Sequence, residues 1–169
     1  MSDEIVLAPY DPSWSQLCEI EREAILAVLP KQPLAIEHIG STAVPGLDAK
    51  PIIDILVLVA DLDDARPAIQ RLEAMGYSYW RDNPDRSKLF LVKGLPPAAP
   101  HRTHHLHIYA DSAELDRHVA FRDHLRGDPA ARDGYLALKQ ELADRFRGDR
   151  EAYTDGKAAF INRLVAPEG

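Results

Sequence analysis

From position 14 onward the apolar residues Trp14, Leu17, Cys18, Ala24, Ile25 and Val28 recur at spacings of three and four. That period puts them on one face of a helix, with Ser13 expected as its cap and Pro30 and Pro33 ending it. The period then shortens. Residues 34–39 have strand character, 40–50 are rich in turn formers, and 51–59 form a second strand so evenly apolar that cover on both faces is expected. Asp63 or Asp64 begins a helix that turns Ala65, Ile69, Leu72 and Met75 inward, and Gly76 suits the left-handed position past its end. Strands follow at 77–80, 88–92 and 104–109, separated by a polar loop over 81–87 and an irregular Pro-rich connection over 94–100. Beyond Asp111 only the helical period remains, over 112–125, 129–146 with Asp128 as cap, and 149–164. The predicted fold class is α+β, a mixed β-sheet with packed helices. The α/β core covers 1–110 and a C-terminal three-helix extension covers 111–169, the whole forming one domain over 1–169.

Charge and composition narrow the function classes. The formal net charge of −7 argues against broad binding of duplex nucleic acid, which calls for a basic face, and leaves room for a local basic pocket. The apolar run 51–60 is too short to span a bilayer and contains Asp54, so no membrane partner is expected. Asp3 and Glu4 stand where a secretory signal would need basic residues. Cys18 is the single cysteine, which excludes a disulfide framework; it lies on an apolar helix stripe and reads as core. A cytoplasmic protein is expected.

The most informative stretch runs from Ile36 to Asp54. Gly40 lets the backbone approach a ligand closely, and Ser41 and Thr42 offer hydroxyls and N–H groups suited to a phosphate. One β-turn-β unit would put this loop beside Asp54, an arrangement that can hold a metal-bound triphosphate. The competing reading is a structural turn with Asp54 as a hydrogen-bond acceptor. An ionisable residue inside an Ile-Ile-x-Ile-Leu-Val strand is costly to bury unpaired, which favours a functional role.

The segments IEHIGSTAVPGLDAKPIIDI, HHLHIY, FRDHLR and AYTDGKAAFI together resemble the GrpB family, over nearly the whole chain from Tyr10 to the last helix. The resemblance implies a nucleotidyltransferase-like fold, found alone or fused to dephospho-coenzyme A kinase, with a poorly defined biochemical role. In that superfamily a glycine followed by Gly or Ser precedes an Asp-x-Asp/Glu pair that holds the divalent ion. Gly40, Ser41 and Asp54 match this pattern. Position 56 is Leu56, so the second carboxylate is absent and one Asp offers too little ligation for two Mg²⁺ ions.

His105 and His107 would share one strand face and could stand in for that carboxylate together with Asp54; His38 precedes the phosphate loop. Such a donor set turns the expected cofactor, Mg or Mn, toward a transition metal, with Zn possible. A histidine could equally act as general base or phosphate donor, or the face could be packed under a loop with His104 solvated. Each C-terminal helix also carries one cation within its apolar stripe: Arg122, Lys139 and Lys157. Snorkelling at the stripe edge explains any one of them, whereas three in succession point to anionic partners. Arg122, Lys139 and Lys157, joined by Lys50 and Arg86, are therefore expected around Ser41, holding a nucleotide or a phosphorylated small molecule. Metal-assisted nucleotidyl transfer with Asp54 as the catalytic metal ligand is the leading expectation. A nucleotide-binding module without catalysis and a metal-dependent hydrolase are its rivals.

Overall fold

A computed structural model describes residues 4–166. Helix α1 (Ser13–Val28) buries Trp14, Cys18 and Ile25, the face its period marks. Ser13 is its first residue rather than its cap, because the Asp11 carboxylate accepts the Ser13 N–H at 2.8 Å. Strand β1 (Ala35–Ile39) leads through a tight turn at Ser41–Ala43 to β2 (Ile53–Leu58). The single helix expected after Asp63 is broken into α2 (Leu62–Ala65) and α3 (Ile69–Ala74) by a 3-10 turn at Arg66–Ala68. Pro67 has no N–H to return to the preceding turn, which accounts for the break. Asp61 caps α2, with its carboxylate accepting the Asp63 N–H.

Strands β3 (Tyr77–Tyr79), β4 (Lys88–Lys93) and β5 (His104–Tyr109) complete the sheet. Three helices follow: α4 (Ser112–Gly127), α5 (Pro129–Arg145) and α6 (Arg150–Val165). Each begins on an aspartate, Asp111, Asp128 and Asp149, whose side chain accepts an N–H of the first turn. A side-chain cap of this kind is worth about 1 kcal/mol.

The strand order is β1-β2-β5-β4-β3, with β2 and β5 parallel and every other pair antiparallel. One face buries Ile53, Ile55, Val57, Leu89, Leu91, Leu106 and Ile108 against α1 and the α2–α3 segment. The other face alternates with it and lies under the C-terminal helices. There Ile39, Leu56, Leu58 and Tyr109 form an apolar patch that meets Leu115 of α4. Beyond that patch the same face turns polar, at Asp54, His105 and His107.

Candidate functional site

The register of the parallel pair creates the polar part of this face. Asp54 lies directly beside His105, and His107 is two residues further along β5, so all three side chains project to the same side. His105 Nδ1 and His107 Nε2 stand 3.3 and 3.2 Å from the same oxygen, Asp54 Oδ1. One ligand atom from each residue can be chosen so that all lie within 4.8 Å of one another. Around a tetrahedral ion with bonds of about 2.0 Å, neighbouring ligand atoms sit about 3.3 Å apart, so the Asp54 separations suit a small transition-metal ion.

Burial alone would raise the Asp54 carboxyl, but hydrogen bonds from the two imidazoles outweigh it and hold the group below the usual carboxylate range. Burial lowers the pKa of His107 against the pull of Asp54, favouring the neutral ring, which can donate one N–H or coordinate an ion. His105 Nε2 and His107 Nδ1 are buried without a partner among the described residues. Each ring therefore has one nitrogen at Asp54 and one uncommitted. Phe90 packs on both rings, at centroid distances of 5.4 and 4.9 Å.

Gly40 borders Asp54 from the turn after β1. Its backbone has φ 74° and ψ −173°, a conformation open essentially to glycine alone. A Cβ there would stand 2.9 Å from Asp54 Oδ2. The close approach of the loop to the carboxylate thus requires this glycine.

A cavity of about 520 Å³ opens over these groups, within the usual range for a small-molecule site. Gly40, Ser41, Thr42, Asp54, His105 and His107 line it, and so do Lys50, Lys139 and Lys157. Lys139 donates to the Asp48 carbonyl at 2.5 Å and lies over the Tyr135 ring. Lys50 and Lys157 flank the Tyr153 ring at 4.9 and 4.5 Å. Burial, then their mutual repulsion, pushes Lys139 down to about 7 and Lys50 down to about 8; burial also lowers Lys157.

Two expected members lie elsewhere. Arg122 turns to β1, where it donates to Glu37 at 2.7 Å and to the His38 carbonyl at 3.0 Å, with Asp123 at 2.8 Å on its third side. Its inward direction is satisfied by an ion pair across α4 and β1, so it does not line the cavity. Arg86 is exposed and donates to the Arg81 carbonyl. His38 pairs with Ile55 and so projects to the opposite sheet face, where it meets the Thr42 hydroxyl at 2.9 Å and burial lowers it to about 4. His104 is not solvated: it turns to the same side as Leu106, toward Glu21. Cys18 is core, and burial pushes its thiol up to about 12.

Sequence reasoning missed several lining residues. Among the described residues, Lys88, Arg102, Arg117 and Arg150 bring the cavity to seven Lys/Arg against two Asp, Asp54 and Asp85. A chain of net charge −7 with 20 Lys and Arg thus places seven of them around one hollow. Arg102 comes from an irregular stretch and Arg150 from a helix start, so neither carries a periodic signal. Tyr135 and Tyr153 also line the cavity, each with a lysine over its ring.

The sequence profile of the family described as GrpB protein matches residues 4–166. A UPF0157 protein of Pseudomonas aeruginosa is 47% identical over 96% of this chain and 67% of its own length. A UPF0157 protein of Halalkalibacterium halodurans is 37% identical over 95% of this chain and 80% of its length. A dephospho-CoA kinase of Mycolicibacterium paratuberculosis is 29% identical over 92% of this chain, which spans only 44% of that protein. Among solved structures, the conserved protein GrpB from Enterococcus faecalis superposes with a TM-score of 0.84 at 38% identity, covering 95% of this chain and 94% of that one.

Proposed function

The chain belongs to the GrpB family and has a nucleotidyltransferase-like fold, and from that premise we propose that its cavity binds a nucleotide or another phosphorylated small molecule together with a divalent metal ion. The observation that carries this reading is the division of the cavity. One wall offers Asp54, His105 and His107 as a compact donor set. The surrounding helices and loops offer Lys50, Lys139, Lys157 and further cations around the Gly40–Ser41 turn. Buried cations that repel one another are costly without an anion, so a phosphate chain is the complementary ligand.

Asp54, His105 and His107 would hold the ion. Two imidazoles and one carboxylate suit Mn²⁺ or Zn²⁺ better than Mg²⁺. When bound, such an ion neutralises phosphate oxygens and polarises a phosphorus centre. The protein's own part is to bind and orient: Ser41 and the adjacent N–H groups meet the phosphates, and the lysines compensate their charge.

Leu56 favours a second reading. It is fully buried with Ile39, Leu58 and Tyr109, so the position of the family superfamily's second carboxylate is filled by core. A nucleotide-binding module without turnover needs no second carboxylate, whereas two-metal transfer does. The kinship with part of a dephospho-CoA kinase is compatible with a modular role of this kind.

The test is titration with Mn²⁺ and Zn²⁺ and, in their presence, with tripolyphosphate. About one ion per chain is expected, with Asp54→Asn weakening it about tenfold or more. Equal ion affinity in Asp54→Asn, or no response to tripolyphosphate, would overturn the reading.

A further inference from the structure

The mouth of the cavity carries a feature that neither ion nor phosphate explains. Trp80, at the end of β3, lines the cavity and is 50% exposed, one of few large apolar side chains left open among the described residues. Its ring meets Phe90 edge-on at 6.4 Å, and Phe90 lies 4.9 Å from His107. Two ring-to-ring steps therefore connect an open aromatic surface to His107 of the candidate metal-donor set.

Asn83 stands beside it. The turn that holds both residues is closed by the Asn83 N–H donating to the Trp80 carbonyl at 3.3 Å. Asn83 lines the cavity and is only 5% exposed. Its amide orientation is fixed, because Oδ1 accepts the Asp85 N–H at 3.0 Å. Nδ2 is then a buried donor with no partner among the described residues. Asn83 thus ties the turn that carries Trp80 through its N–H and Oδ1, and Nδ2 has almost no accessible surface toward the cavity.

The geometry points to a nucleobase subsite at Trp80, which makes the ligand a nucleotide rather than a sugar phosphate or inorganic polyphosphate. A base stacks on the open indole. The ribose then crosses Phe90, and the phosphates reach Ser41 and the lysines. This rests on the phosphate reading above and assigns the end of the cavity that reading leaves unfilled. Stacking is tolerant of base identity, so little discrimination among bases is expected.

The experiment compares ATP, GTP, CTP and UTP with tripolyphosphate by calorimetry in Mn²⁺, on the wild type, Trp80→Ala and Trp80→Phe. At least one nucleotide is expected to bind about tenfold or more tightly than tripolyphosphate, to lose about that factor in Trp80→Ala, and to regain most of it in Trp80→Phe. Tripolyphosphate binding should be the same in all three proteins. Nucleotides and tripolyphosphate binding alike, or Trp80→Ala leaving nucleotides unaffected or weakening both ligands equally, would overturn the subsite. Uncharged nucleosides, followed by Trp80-dependent fluorescence quenching, separate the two claims. Nucleosides that bind while tripolyphosphate does not would sink the phosphate reading and keep the base subsite; no binding by any of these ligands would overturn both.

Discussion

At the scale of single residues, Gly40 is the position on which the site's geometry turns. Its backbone conformation is one that side chains disfavour, at a cost of about 1–3 kcal/mol, and an added Cβ would press on Asp54 Oδ2 and Cβ at 2.9 and 3.3 Å. Both effects act on the same place. Gly40→Ala is therefore expected to lower stability by about 1–3 kcal/mol in urea unfolding and to weaken Mn²⁺ binding, since Asp54 must move away from His105 and His107. A variant with unchanged stability and ion affinity would show that the loop does not clamp the carboxylate. Gly40 was legible in the sequence as a close-approach glycine in a loop beside Asp54, although its own packing against that carboxylate was not. A strand period tells which face Asp54 shares, and only the parallel pairing of β2 with β5 brings it beside His105.

At the scale of elements, the C-terminal helices position the cations, and their packing sets how far those cations reach. Gly156 of α6 lies so close to α5 that a Cβ would stand 2.5 Å from Leu142 Cδ2. Leu142 is buried beside Ala143 and Tyr153 and has little room to give way. Gly156→Val is expected to destabilise by about 1–3 kcal/mol through overpacking and to lower tripolyphosphate affinity, because Tyr153 and Lys157 ride on the displaced helix. Unfolding curves and titrations on the one variant check both; full affinity in a destabilised protein would detach α6 from the site. The helix stripes showed Arg122, Lys139 and Lys157 pointing inward, and periodicity could say no more than that. What lies across from each depends on tertiary placement: α4 meets Glu37 of β1, so Arg122 is neutralised, while Lys139 and Lys157 meet one another and the cavity. The break at Pro67 had a local cause that the sequence contained. The contribution of Arg102 and Arg150 had none, because an irregular segment and the first residue of a helix carry no directional signal.

At the scale of the whole molecule, an acidic chain keeps a cationic hollow, and the strain of that arrangement has a definite pH signature. Lys139 is pushed down to about 7 and Lys50 to about 8 in the folded protein, against 10.5 as the ordinary value. Below pH 7 Lys139 is protonated in both folded and unfolded chains, so it contributes no slope. Between about pH 7 and pH 10 the unfolded chain holds a proton that the folded chain has released, and stability must rise with pH across that window. Lys50 adds the same sign from about pH 8 upward. Lys139→Met keeps the length of the side chain and removes the titration, so its stability should climb less steeply between pH 7 and pH 9, as read from urea midpoints at fixed ionic strength. Parallel profiles for the two proteins would mean that Lys139 keeps its ordinary proton affinity despite burial. A bound polyanion reverses the balance by favouring the ammonium forms. Tripolyphosphate binding at pH 8 is accordingly expected to take up protons, visible as a binding heat that depends on the ionisation enthalpy of the buffer, and Lys139→Met should reduce that uptake. The repulsion among buried lysines in the free protein and the attraction they offer to a phosphate chain are thus one electrostatic property, read with opposite signs in the two states.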